Sequence, residues 1–151
     1  MWYKILVENE IADYFINNDI FTQNDAEIQK TEELLYEYTS IVNGVTMAWS
    51  FYNSKKKNEI AESLAKESPR SKHAFNYCCD RIRFSEAKNL GDIYRSIPID
   101  ADLELLSAEQ CAVKIIYPFL SRMDGSYEKE FFMSGNFKKY LLVLKDKCAK
   151  N

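Results

Sequence analysis

Four glycines and three prolines are few for a chain of 151 residues, and their scarcity bears first on fold class. A β-rich chain reverses direction often and relies on these residues at its turns. An all-α, single-domain bundle of about five to seven helices is therefore the expected architecture. The glycines stand at 44, 91, 125 and 135, too scattered for a phosphate-binding loop of either common type, which speaks against nucleotide-dependent enzymes of those classes. Long apolar runs are missing too. A stretch such as "LLVL" at 141–144 falls well short of the roughly 20 residues that a spanning helix needs. The start "MWYKILVENE" has no basic leader and meets acids where the apolar core of a signal peptide would continue, so a cytoplasmic location is expected.

Histidine occurs once, as His73. Any Ser/His or Cys/His catalytic pair would have to use it, and no nucleophile-elbow pattern accompanies it. No catalytic motif is found, and the chain is not expected to be an enzyme. Of four cysteines, Cys78 and Cys79 are neighbours while Cys111 and Cys148 stand alone downstream. That spacing is no disulfide framework; in a reducing compartment such residues are small apolar side chains. No cofactor motif is present either.

What the chain does contain is a globular composition, 46% hydrophobic and 28% charged, long enough to bury a core as one domain over residues 1–151. The net charge of −3 is unevenly spread. Residues 1–50 hold 2 Lys/Arg against 9 Asp/Glu, residues 51–100 hold 10 against 7, and the rest 8 against 7. Such asymmetry concerns partners rather than fold.

Apolar spacing predicts a helix over 2–17 on Tyr3, Val7, Ile11, Tyr14 and Phe15. A long helix over 25–53 follows, with Asn24 or Asp25 as its N-cap and one apolar face from Leu34 to Tyr52. Within it, Asn43-Gly44 between β-branched residues is also a hairpin signal, so an α+β alternative places a hairpin at 38–52. The helix is preferred because the apolar phase passes through Asn43-Gly44 without slipping, and an interior glycine costs only about 1 kcal/mol. A short helix over "SKKKNEIAESLAKES" ends at "SPRS", the next runs from about 72 to Asn89, and "SAEQ" at 107–110 has the capping-box pattern. That helix carries Cys111, Ile115, Phe119 and Met123, with a kink expected at Pro118 and a turn at "RMDGSYE" before a last helix bearing Phe137, Tyr140, Leu141 and Leu144.

The stretch "HAFNYCCDRIRF" at 73–84 has the composition of a metal or redox site. Helical geometry argues otherwise. Phe75, Cys78, Cys79 and Ile82 fall at i, i+3, i+4 and i+7, one core stripe, whereas His73 lies about 120–140° around the helix from either thiol, too far to share an ion. His73, Tyr77, Arg81 and Phe84 form a second face, expected to be buried by default. The acids at 100–111 begin like a calcium loop but have Leu105 in place of the turn glycine and Cys111 in place of the closing glutamate. Glu32, Glu33 and Glu37 lack the Glu-x-x-His pattern of di-iron sites.

Two surfaces remain as candidates for function. The outer face of the 25–53 helix carries Asp25, Glu32, Glu33, Tyr36, Glu37 and Met47, a mixture of carboxylates and exposed side-chain area suited to a basic protein partner. The leading expectation is an immunity- or antitoxin-type protein that neutralises a basic toxin or nuclease by stoichiometric binding. The alternative is a nucleic-acid-binding regulator using a helix-turn-helix-like segment at 55–90, with Arg70, Lys72, Arg81 and Arg83 facing outward. That motif is imperfect here: Ala65 stands where glycine is usual, and Lys72 where a β-branched residue is usually buried.

Overall fold

The computed structural model describes residues 1–18, 24–120 and 135–150. Among them the chain is all-α, with seven α-helices and no strand: α1 Glu10–Asn17, α2 Asp25–Phe51, α3 Lys57–Glu67, α4 Pro69–Ile82, α5 Leu90–Arg95, α6 Ala108–Leu120 and α7 Asn136–Ala149. Short 3-10 turns at Trp2–Leu6 and Leu103–Leu105 complete the order. Buried side chains from every helix belong to one apolar cluster. None of the described helices is long and apolar enough to cross a membrane.

The expected helix over 2–17 is in fact two elements. Asn9 separates them: its amide nitrogen donates to the Ile5 carbonyl at 2.7 Å and its side-chain oxygen accepts from the Ala12 N–H at 2.8 Å, while its backbone is extended. One residue thus closes the 3-10 turn and opens α1. Helix α2 begins as expected, with Asn24 accepting from the Glu27 N–H at 3.0 Å, and it runs through Asn43-Gly44. The hairpin alternative is thereby ruled out.

Ser68 is the only residue between α3 and α4. It ends the first and caps the second, its hydroxyl accepting from the Arg70 N–H at 3.2 Å, and Pro69 occupies the first helical turn, where no N–H is needed. The "SPRS" stretch therefore starts a helix as much as it stops one. Helix α4 ends at Ile82, not near Asn89; Asn89 instead opens α5 in a capping box with Asp92. Ser107 and Gln110 form the expected capping box, at 3.1 and 2.9 Å, and α6 continues through Pro118. Met123 and the "RMDGSYE" turn lie outside the described residues.

Helices α2 and α4 cross in close contact at Gly44, and the Ser71 hydroxyl, on a buried residue of α4, donates to the Ser40 carbonyl of α2 at 2.7 Å. Tyr38 of α2 lies at the centre of the core. Its ring sits against Phe119 and Phe137, and its hydroxyl donates to the Leu6 carbonyl at 2.7 Å.

Candidate functional site

Phe75, Cys78, Cys79 and Ile82 all lie in the core, as their spacing requires. The Cys78 thiol donates to the Trp2 carbonyl at 3.4 Å and that of Cys111 to the Tyr140 carbonyl at 3.7 Å. Burial pushes the thiols up, to about 11 for Cys79 and about 12 for Cys111, and raises Cys78 further still. Nucleophilic thiolate chemistry near neutrality is correspondingly disfavoured. Among the described residues no three His, Cys, Asp or Glu side chains gather as a metal site.

These thiols also set an alkaline limit. Their folded-state values are raised, so the stability they contribute is fully present below the ordinary thiol value of 9.0 and is lost as pH climbs toward about 11 to 12. Urea midpoints are expected to hold steady around neutrality and to fall once pH passes 9.0. A flat profile across that range would contradict the burial.

The second face of α4 is open, not buried as expected. His73 is exposed, Tyr77 and Arg81 are half-buried, and Phe84 is 76% exposed. Helix α4 has a single buried stripe, covered by α2 together with α3 and the Trp2–Leu6 turn; among the described residues the other side is less completely packed. The four outward cations are engaged in different ways. Arg70 pairs with Glu10 and stands 3.9 Å from Glu37, and Lys72 pairs with Glu62 at 2.8 Å. The Arg81 guanidinium lies 3.7 Å from the Tyr77 ring centroid and donates to the Tyr77 carbonyl, while Arg83 lies 4.7 Å from the Phe84 ring. The hydrogen bonds from Arg70 and Lys72 hold the Glu10 and Glu62 carboxyls below their usual range.

The N-terminal half of α2 presents the acids. Residues 24–30 are all exposed; the segment is tied back where the hydroxyls of Thr31 and Tyr14 meet at 3.0 Å and Lys30 sits 5.4 Å from the Tyr14 ring centroid. Asp25, Glu32, Glu33 and Glu37 are exposed, and Tyr36 is 77% exposed. At about 100° per residue, Asp25, Glu32, Glu33 and Tyr36 fall within one arc of about 100°. Among the described residues Asp25, Glu32 and Glu33 make no ion pair with Lys or Arg. Met47 stands apart, half-buried and packed against the core. Ile28 joins the exposed set at 40%; it stands seven residues before Leu35, near the phase of the apolar face, so helical spacing did not mark it.

Beside this face, where the starts of α1 and α4 meet, a groove of about 290 Å³ opens. Its floor and wall are Ile5, Ile41 and Pro69; its rim holds Glu8, Glu10, Arg70 and His73. The sequence had no local signal for it, because its members come from the 3-10 turn, α1, α2 and α4. No family model, curated protein or solved structure matches the chain.

Proposed function

We propose that the chain is a binding protein of the immunity or antitoxin type, acting in the cytoplasm and neutralising a basic toxin or nuclease by stoichiometric contact rather than by turnover. The observation that supports this most is the open N-terminal half of α2, where Tyr36 stands exposed among Asp25, Glu32, Glu33 and Glu37. Asp25, Glu32 and Glu33, which make no ion pair among the described residues, leave carboxylates to draw in a cationic surface and raise the association rate; an exposed ring supplies contact area. The nucleic-acid reading has less support, because Arg70 and Lys72 are held by carboxylates and a one-residue joint separates α3 from α4, shorter than the 3–4 residues of a helix-turn-helix.

The test is capture from a lysate of the native cell, comparing the wild-type bait with a variant in which Glu32, Glu33 and Glu37 are all changed to lysine. The wild type is expected to retain a basic protein whose association slows as salt is added, and the variant to lose it at least about tenfold, which is on the order of 1.4 kcal/mol. Undiminished capture by the variant would sink the proposal.

A further inference from the structure

The groove between α1 and α4 has an uneven charge balance. Among the described residues Arg70 is the only arginine or lysine that lines it, and Glu10 already holds that guanidinium, with Glu37 3.9 Å away. Glu8, exposed on the same rim, forms no ion pair among the described residues. Below the rim the surface turns apolar, with Ile5 and Ile41 only 7% and 3% exposed. His73 closes one side, exposed and able in its neutral form to accept a hydrogen bond.

These features narrow the occupant by chemistry. An anion would meet the unpaired Glu8 carboxylate. An uncharged apolar group would match the floor and leave that carboxylate without a counter-charge. A cation on a methylene stem satisfies both halves, its stem lying on Ile5, Ile41 and Pro69 and its head at Glu8. The size agrees: about 290 Å³ sits at the lower edge of the roughly 300–1,000 Å³ typical of drug-sized ligand sites, which suits one side chain rather than a nucleotide.

We infer that this groove seats a single arginine or lysine side chain of the basic protein partner. The inference rests on the proposed function and names an anchor point for it. The position is apt because the acids of α2 lead to it: Glu33 and Glu37 run along the helix, the Arg70–Glu10 pair follows, and Glu8 stands on the rim of the groove.

The experiment uses no partner. Isotope-labelled protein is titrated with N-acetyl-arginine amide and followed through the His73 ring and the Ile5 and Ile41 methyl signals. Saturable shifts centred on these residues are expected, with millimolar affinity that weakens about two- to fivefold in Glu8→Gln, the range for losing one exposed ion pair. Shifts that never saturate, equal binding of N-acetyl-aspartate amide, or undiminished affinity in a folded Glu8→Gln protein each overturn the groove inference while leaving the α2 face standing. Undiminished capture by the triple lysine variant overturns the α2 reading instead, and with it the assignment of the side chain to that partner.

Discussion

Changing Tyr38 to alanine is expected to cost about 3–5 kcal/mol, a large share of the roughly 5–15 kcal/mol that separates a folded domain of this kind from its unfolded chain. The size follows from what meets at that ring. Its centroid is 5.0 Å from Phe137 of α7 and 5.5 Å from Phe119 of α6, and those two rings are 5.7 Å apart. Removing the ring opens a cavity whose walls belong to three helices, and no single helix can shift to fill it. The hydroxyl contributes separately, because it donates to the buried Leu6 carbonyl and so fastens the 3-10 turn to α2. Tyr38→Phe keeps the ring and orphans that carbonyl, for an expected loss of about 1–3 kcal/mol. Urea unfolding of both variants separates the two contributions. A Tyr38→Ala loss below about 1 kcal/mol would show that the three helices do not depend on this residue.

The same ring shows why part of the fold was legible in the sequence. Tyr38, Ile41, Val42, Val45, Ala48 and Trp49 keep one helical phase, and all six are buried on α2. Phase is a local property, so it could be read. The errors lie at boundaries set by single polar side chains. Asn9 breaks the expected first helix, Ser68 serves two helices at once, and Asn89 opens α5 instead of closing α4. Each of these caps depends on one side-chain oxygen finding an N–H two or three residues ahead, which composition does not reveal. The second face expected of α4 failed for a different reason: the helix ends at Ile82, short of Phe84, which is apolar yet 76% exposed, and only tertiary packing decides which face of a helix is covered. The candidate surface divided along the same line. The open acids of α2 follow from helical phase, whereas Met47 is partly covered by packing and the groove at His73 gathers residues far apart in the chain.

Gly44→Ala is expected to destabilise the protein by about 1–3 kcal/mol, toward the upper end of the range for overpacking a core, even though alanine is the better helix former by about 1 kcal/mol. The two effects oppose each other, and the crossing of α2 with α4 decides which prevails. A Cβ on Gly44 would press into the Ser71 carbonyl oxygen and lie 2.9 Å from the Ala74 Cβ and 3.1 Å from the Phe75 nitrogen. Two of these neighbours are backbone atoms inside a helix, so no rotamer change relieves the contact. Sliding the helices apart would in turn stretch the Ser71–Ser40 hydrogen bond and thin the packing of Phe75 and Cys78. Gly91→Ala provides the control. There the added Cβ lies 3.1 Å from the end of the flexible Arg95 side chain, which can turn aside, and 3.0 Å from the Asn89 capping oxygen, which need give by only a few tenths of an ångström, and the change is expected to stay within about 1 kcal/mol. Thermal or urea unfolding of the pair therefore tests the glycine as a contact point between helices and not as a turn residue: a Gly44→Ala protein at least as stable as the wild type would mean that α2 and α4 do not approach this closely.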